Sequence, residues 1–394
     1  MPDVRHRWRI MADRYDVIVV GLGAMGSATL HQLARRGHCV LGIEQFVPGH
    51  AMGSSHGKSR IIREAYFEDP RYVPLVQRAY DCWRALEAES GVTVFRQTGG
   101  LMLGPPDSEV VSGALRSATL HNLAHEVITA DDVRRRYPAF RPRDGDIGVV
   151  EPRAGMLAPE RAITVFVEAA MRNGATVHSD EPMLSWRAVG DGVEVTTARA
   201  TYAASKLVLS VGAWAAKVLR ELGVPFVPQR NVLYWFAPAA NPQFFTPEMF
   251  PVFLQELGPG LTSYGFPDTG DGVKLALHHF GEDVDPDTIR RTVSDDEIAF
   301  MRALLSEHMP DANGVLRDAA ACMYTNVPDN HFVIDRHPAH HNVIVASPCS
   351  GHGFKFASAL GEVLADMTMD IPPRFDTSLF SLARFSADAC ASDI

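Results

Sequence analysis

The sequence predicts a mixed α/β fold organised around a dinucleotide-type βαβ unit, and three observations carry that expectation. Tyr15-Asp-Val-Ile-Val-Val20 is a β-branched run of the kind buried in a parallel sheet, and Gly21-Leu-Gly-Ala-Met-Gly26 follows it directly. Ser27 to Arg36 has amphipathic helical spacing closed by Gly37, and Cys39-Val-Leu-Gly-Ile43 is a second strand ending in Glu44, 18 residues past Gly26. Lys206 to Trp214 repeats the strand–glycine–helix pattern, the form in which such a domain returns to its ligand. In this pattern Gly21, Gly23 and Gly26 give a tight turn, close backbone approach and close helix packing. Ala24 and Met25 lie within the turn as candidate cofactor-binding residues, and the unpaired N–H groups at the start of the helix that follows suit a pyrophosphate. Glu44 suits ribose hydroxyls and disfavours a 2′-phosphate. The same glycines also fit a purely structural turn.

The other elements follow in order. Tyr72 to Ser90 reads as a helix, and Val94 to Leu103 as short strands around Gly99-Gly100. Thr129 to Tyr137 and Pro159 to Asn173 read as helices, the second leading into the strand Ala175 to His178. Val193 to Thr196 pairs with Thr201-Tyr202 across a turn, and Ala215 to Leu222 is a helix. Gln243 to Asp285 is dense in proline, glycine and aromatics, which suggests an antiparallel sheet over a ligand. Ser294 to His308 is a helix, His331 to Asp335 and Asn342 to Ser347 are strands, and Phe354 to Asp370 is a helix. The dinucleotide domain is therefore discontinuous (14–93, 151–230 and 318–386), with a mainly antiparallel β cap formed by 94–150 and 231–317. Residues 1–13 form an extension, and Met11 is a possible native start.

Composition narrows the function classes. A chain of 394 residues with 46% hydrophobic residues can bury a large core or two interleaved ones. A net charge of −10 argues against nucleic acid or an anionic membrane as main partner. No window of about 18 apolar residues occurs, so a spanning helix is not expected. The 5 cysteines (39, 82, 322, 349 and 390) include no CxxC pair, which suits a reduced, cytoplasmic chain.

Four segments are loaded with functional side chains. Gly53-Ser-Ser-His-Gly-Lys-Ser-Arg-Ile-Ile-Arg63 is too basic and too rich in Gly and Ser for a core element, though it also fits a solvated loop. Tyr264-Gly-Phe-Pro267 precedes Lys274-Leu-Ala-Leu-His278, where alternation puts Lys274 and His278 on one face, compatible with an ordinary outer face. Cys322 lies in the apolar stretch Ala321 to Thr325 and also fits a small buried hydrophobe. Ser350-Gly-His-Gly-Phe-Lys-Phe356 sets Lys355 in the first turn of a helix, where a cation is unfavourable for the helix and favourable for an anionic ligand. His337-Pro-Ala-His-His341 reads as a surface hairpin, and no metal is expected. Cys39 and Cys82 fall in a strand and a helix and read as structural, as does Cys390 in the tail.

With these strings in view, the chain resembles the monomeric sarcosine oxidase and N-methyl-L-tryptophan oxidase family from about Tyr15 to Phe385. The matching motifs are Gly21 to Gly26, Ser54-Ser-His-Gly57 with Arg60-Ile-Ile-Arg63, Tyr264 to Pro267, Cys322-Met-Tyr324 and Gly351-His-Gly-Phe-Lys-Phe356. The resemblance implies FAD bound in a Rossmann-like domain and attached through the flavin 8α-methyl to Cys322. Ser54, His56, Arg60, Gly351, His352 and Gly353 would surround the flavin. Arg63 and Lys355 would hold a substrate carboxylate, Tyr264, His278 and Tyr324 would line the amine pocket, and Lys274 would face dioxygen. The implied reaction is oxidation of an N-methyl or cyclic secondary amino acid to an imine, with O2 reduced to H2O2. N-methyl substrates then give formaldehyde and the primary amino acid. A monomer is the expectation by resemblance. A noncovalent-flavin dehydrogenase or oxidase acting on a pipecolate- or proline-like substrate is the alternative, and a non-enzymatic flavin module is disfavoured by Arg63, Lys274 and Lys355. The sequence departs from the family at Lys58-Ser59, where Asp-Thr is usual, and at Pro348-Cys349, which replaces a small or apolar pair. Lys58 is expected to add charge near the flavin edge, Pro348 to stiffen the loop facing it, and Cys349 to be a rival thiol.

Overall fold

In the computed structural model, which describes residues 14–385, two large sheets divide the chain. The first has eight strands in the order Met183–Val189, Gly192–Thr197, Thr201–Leu209, Arg14–Val20, Val40–Ile43 and Thr176–His178. His340–Ser347 joins it beside Thr201–Leu209, and Val333–His337 pairs with His340–Ser347. Its centre is parallel: Val17 pairs with Val40 on one side and Lys206 on the other. These strands are buried on both faces, which explains their unbroken β-branched character. Helix Ala24–Arg35 covers one face beside helices Pro159–Arg172 and Ala357–Thr368. A side chain at Gly361 would meet Ala28 at 2.8 Å, so the first and last of these helices cross at backbone distance.

The second sheet has nine strands, in the order Glu282–Asp283, Val227–Phe236, Val273–His278, Leu261–Phe266, Val252–Gly258, Gly100–Gly104, Ile147–Glu151 and Glu126–Thr129. Leu316–Asn326 pairs with Val227–Phe236, setting Cys322 opposite Asn231. Leu275 and Leu277 enter the core on one face of Val273–His278, while Lys274 and Ala276 are buried on the other. A small sheet of Arg60–Ile62, Gly155–Leu157 and Phe95–Gln97 lies beside these two. Helix Asp295–His308 starts with the capping box that Ser294 and Glu297 announce, and Ala130–Arg136 with that of Thr129 and Asp132.

Several expectations need correction. The boundaries at 150/151, 230/231 and 317/318 fall inside Ile147–Glu151, Val227–Phe236 and Leu316–Asn326, all strands of the second sheet. Hydrogen-bonded ladders set these limits, and ladder partners lie far away in sequence. The helix expected over Ala215 to Leu222 is one turn, Ala215–Val218, then a 3₁₀ turn, Arg220–Leu222. Leu219 leaves the helical region (φ −113°, ψ 24°), and the left-handed Gly223 (φ 67°) ends the segment. Helix Glu109–Leu120 went unassigned although Ser108 caps it and Val110, Val111, Ala114 and Ala118 form its buried stripe. His337 and His340 face each other across the expected hairpin, but His337 is buried against Trp186. Met1, Met11 and Cys390 lie outside the described residues. No helix among the described residues is long and apolar enough to cross a membrane.

Candidate active site

One cavity runs from the Gly21–Met25 turn, past Cys322, to Lys355. At its first end Gly21 is left-handed (φ +85°), and a Cβ on Gly26 would lie 1.8 Å from Gly21 O. Helix Ala24–Arg35 starts at Gly23 with no side-chain cap, so its first N–H groups face the cavity unpaired. A Cβ on Gly23 would meet only Ser55 Oγ at 3.8 Å, which leaves room for a pyrophosphate. Glu44 accepts the N–H of Leu22 at 2.7 Å and of Phe46 at 3.0 Å, fixing its carboxylate at the strand end. This uncapped helix start, open cradle and oriented acid fit a dinucleotide. Gly26→Ala is expected to yield protein without bound flavin, checked by the visible-to-280 nm absorbance ratio after purification.

Cys322, 2% exposed, sits midway along the cavity. Arg60 Nη2 donates to its Sγ at 3.5 Å and to Ser54 O at 2.8 Å. Burial pushes the Cys322 thiol up, but His56, Arg60 and Lys274 outweigh it and bring the pKa to about 6. Cys349 also lines the cavity, yet burial raises its pKa, with no cation to oppose it. The buried Ser54 Oγ and His56 Nε2 have no hydrogen-bond partner among the described residues.

At the far end Arg63 donates from Nη1 to Ala65 O at 2.9 Å and from Nη2 to Glu68 Oε2 at 2.6 Å, its guanidinium over the Tyr66 and Phe67 rings. Burial alone would raise the Glu68 pKa, but Arg63, His352 and Lys355 hold it at about 2. Lys355 Nζ donates to His352 O at 2.7 Å, and burial beside Arg63 lowers its pKa to about 7. His352 Nε2 donates to Asn330 O at 2.9 Å, so its Nδ1 accepts from the Tyr66 hydroxyl. Burial brings the His352 pKa to about 3 and keeps the ring neutral. Between these ends Tyr324 OH donates to Tyr264 OH at 3.4 Å and lies 3.3 Å from His278 Nδ1. Gly351 is left-handed, and a side chain there would strike the Tyr324 ring at 2.6 Å.

The fold thus gathers most of the residues named from sequence. Gly21, Gly23, Ala24, Met25, Glu44, Ser54, Arg60, Arg63, Tyr264, His278, Cys322, Tyr324, Gly351, His352, Gly353 and Lys355 all line the cavity. Gly26, His56 and Lys274 lie behind its wall. Lys274 Nζ donates to Gly57 O at 2.6 Å, Ser59 O at 2.7 Å and Ser59 Oγ at 3.2 Å. Burial, then Arg60, push its pKa well below the usual lysine value. Lys58 does not itself line the cavity: its side chain is 43% exposed and paired with Asp271 at 3.1 Å and Asp318 at 3.5 Å, while its charge is among those that lower the Lys274 pKa. Pro348 does line the cavity, and its carbonyl closes over Gly353, where a Cβ would lie 1.7 Å away.

Besides Glu68, which lines the cavity against Arg63, two further carboxylates were missed from sequence. Glu151 accepts the N–H of Glu64 at 2.6 Å and of Ala65 at 2.9 Å, anchoring the segment that carries Arg63. Burial pushes its pKa up to about 7, against the backbone donors that lower it. Glu160 accepts the N–H of Gly57 and Lys58. Neither belongs to a motif, and each is brought in from beyond the basic segment.

The FAD dependent oxidoreductase (DAO) family matches residues 16–367. Monomeric sarcosine oxidase of Streptomyces avermitilis is 46% identical over 381 residues, covering 96% of this chain and 99% of that protein. N-methyl-L-tryptophan oxidase of Yersinia pestis is 37% identical over 375 residues, covering 94% and 99%. Among solved structures, the amino acid oxidase NikD superposes with a TM-score of 0.82 at 24% identity over 93% of this chain and 97% of that one. L-proline dehydrogenase of P. horikoshii gives 0.82 at 22% over 95% and 98%. These two likenesses speak to the fold alone. With a dinucleotide cradle at one end of its cavity, a family match over most of its length and relatives at such identity, the chain belongs to the DAO family of FAD-dependent oxidoreductases.

Proposed function

We propose that this protein is a sarcosine oxidase-type enzyme: it oxidises N-methyl or cyclic secondary amino acids with O2 and carries FAD as a thioether on Cys322. The observation that supports this reading is that one cavity is lined by the dinucleotide turn, by two cations, Arg63 and Lys355, and by a thiol of lowered pKa, Cys322. When bound, FAD would supply the redox chemistry, a two-electron transfer from the C–N unit to dioxygen. Arg63 and Lys355 bind the carboxylate as a planar fork and a point charge. Their charge, with that of Arg60, disfavours an ammonium nearby and so favours the neutral amine that reacts. Tyr264, His278 and Tyr324 form the wall against which the amine and its substituents orient. Cys322 would hold the cofactor covalently, its thiolate supplying the nucleophile for a thioether to the 8α-carbon, with O2 as the oxidant that takes up the two electrons. The assignment as an oxidase is tested with a panel of N-methyl and cyclic amino acids. H2O2 formed one-for-one with substrate consumed supports it, and turnover only with an artificial acceptor would instead favour the dehydrogenase alternative.

Lys274 belongs to the oxygen half of the cycle. A protonated Nζ there stabilises the negative charge that develops on dioxygen. Lys274→Met is expected to slow reoxidation by O2 about 100-fold while anaerobic reduction changes less than about 3-fold. Rapid-mixing kinetics of the separate half-reactions check this, and equal slowing of both would contradict the assignment.

Lys355 gives a pH signature. Its cation exists below a pKa of about 7, so carboxylate binding weakens as pH rises past that value. The amine must lose its proton, which works in the opposite direction. The profile of kcat/KM against pH is therefore expected to be bell-shaped, with a descending limb that Lys355→Met removes. A limb that persists in Lys355→Met would assign it to another group.

A further inference from the structure

The turn Gly57-Lys58-Ser59 is held from both sides by charged side chains. On its donor side Glu160 Oε1 accepts the backbone N–H of Gly57 at 2.6 Å and of Lys58 at 3.0 Å. On its acceptor side Lys274 Nζ donates to Gly57 O and Ser59 O at 2.6 and 2.7 Å. Gly57 (φ +100°) and Lys58 (φ +68°) are both left-handed, and successive N–H groups at such a turn form an anion-binding concavity. A lysine in that region is strained and persists where surrounding contacts over-determine it. A Cβ on Gly57 would also strike Leu233 at 2.4 Å, so the turn is wedged against the second sheet. Glu160 stands at the start of helix Pro159–Arg172, where the helix dipole favours a carboxylate. The Lys58 side chain is tied to Asp271 and Asp318, leaving the backbone donors to Glu160.

We infer that Glu160 is a positioning residue for Lys274: its carboxylate fixes the Gly57–Ser59 turn, and the carbonyls of that turn fix Nζ. The inference rests on the reading of Lys274 as the oxygen-side cation. Glu160 lies 102 residues from Lys58 in sequence; it holds the turn through hydrogen bonds, and its charge also acts on Lys274 directly, against the burial that lowers the Lys274 pKa.

Two measurements on the holoenzyme test this. The first is hydrogen exchange by mass spectrometry on the peptide spanning Gly57 to Ser59. Glu160→Ala is expected to speed its exchange about 10-fold or more, whereas Glu160→Gln, which keeps an acceptor oxygen, stays near the parent rate. Unchanged protection in Glu160→Ala overturns the inference. Glu160→Asp, one methylene shorter, serves the same comparison if the alanine variant does not fold. The second is a double-mutant cycle with Lys274→Met, read separately on flavin reduction and on reoxidation. Glu160→Ala is expected to slow the half-reaction that Lys274→Met slows and to add nothing in the Lys274→Met background. Additive losses, or slowing spread equally over both half-reactions, overturn the inference. If Lys274→Met slows reduction and spares reoxidation, the oxygen role of Lys274 falls. Non-additivity on reduction would still support the positioning.

Discussion

Cys322→Ser is expected to abolish the covalent link completely: acid precipitation should leave a colourless pellet and a yellow supernatant. Cys349→Ser should precipitate yellow, with flavin mass on the peptide containing Cys322. The two thiols line the same cavity, so proximity does not choose between them. Charge does. Cys322 lies 3.5 Å from a guanidinium nitrogen and has a pKa of about 6, so it is mostly thiolate at neutral pH. Burial raises the pKa of Cys349, and only hydroxyls of Ser347 and Thr325 offset it. A serine hydroxyl at 322 cannot ionise under these conditions, so no partial attachment is expected. Flavin that survives acid in Cys322→Ser but is lost in Cys349→Ser would move the link to Cys349.

The second large effect is at Arg63. Arg63→Ala should lower kcat/KM for an amino-acid substrate about 100- to 1000-fold, or roughly 3–4 kcal/mol. Two causes add. The carboxylate loses a planar donor fork, and Glu68, whose pKa of about 2 depends chiefly on Arg63, loses its partner in a buried site. Arg63→Ala/Glu68→Gln separates them. Removing the orphaned charge should restore much of the lost thermal stability and leave the substrate defect. Arg63→Lys should recover little, because a lysine cannot match both Ala65 O and a carboxylate with one planar group. The assigned role fails if the parent enzyme oxidises a secondary amine without a carboxylate as well as it does the amino acid.

The parts of the fold legible in sequence are those whose signals are local. Strand Arg14–Val20, the glycine turn and helix Ala24–Arg35 state their periods and their end in one continuous stretch. The capping boxes at Thr129 and Ser294 lie within four residues of the helices they start. Strand Leu316–Asn326 is harder: only its centre is apolar, and its partner strand Val227–Phe236 lies about 80 to 100 residues earlier. The same limit hid Glu151 and Glu160, single acids whose meaning lies in backbone N–H groups of a distant segment. Lys58 shows the converse, since its partners Asp271 and Asp318 are remote and hold its side chain outside the cavity lining.

By itself, then, the sequence determined the dinucleotide turn, many of the side chains of the cavity and the cysteine matched by resemblance, because each is written in a short string of fixed spacing. Only the tertiary structure decided which thiol is ionised, what holds Arg63 and Lys274 in place, and which sheet carries Cys322. Those outcomes depend on burial and on charges a few ångströms apart, and the chain sets such distances only by folding.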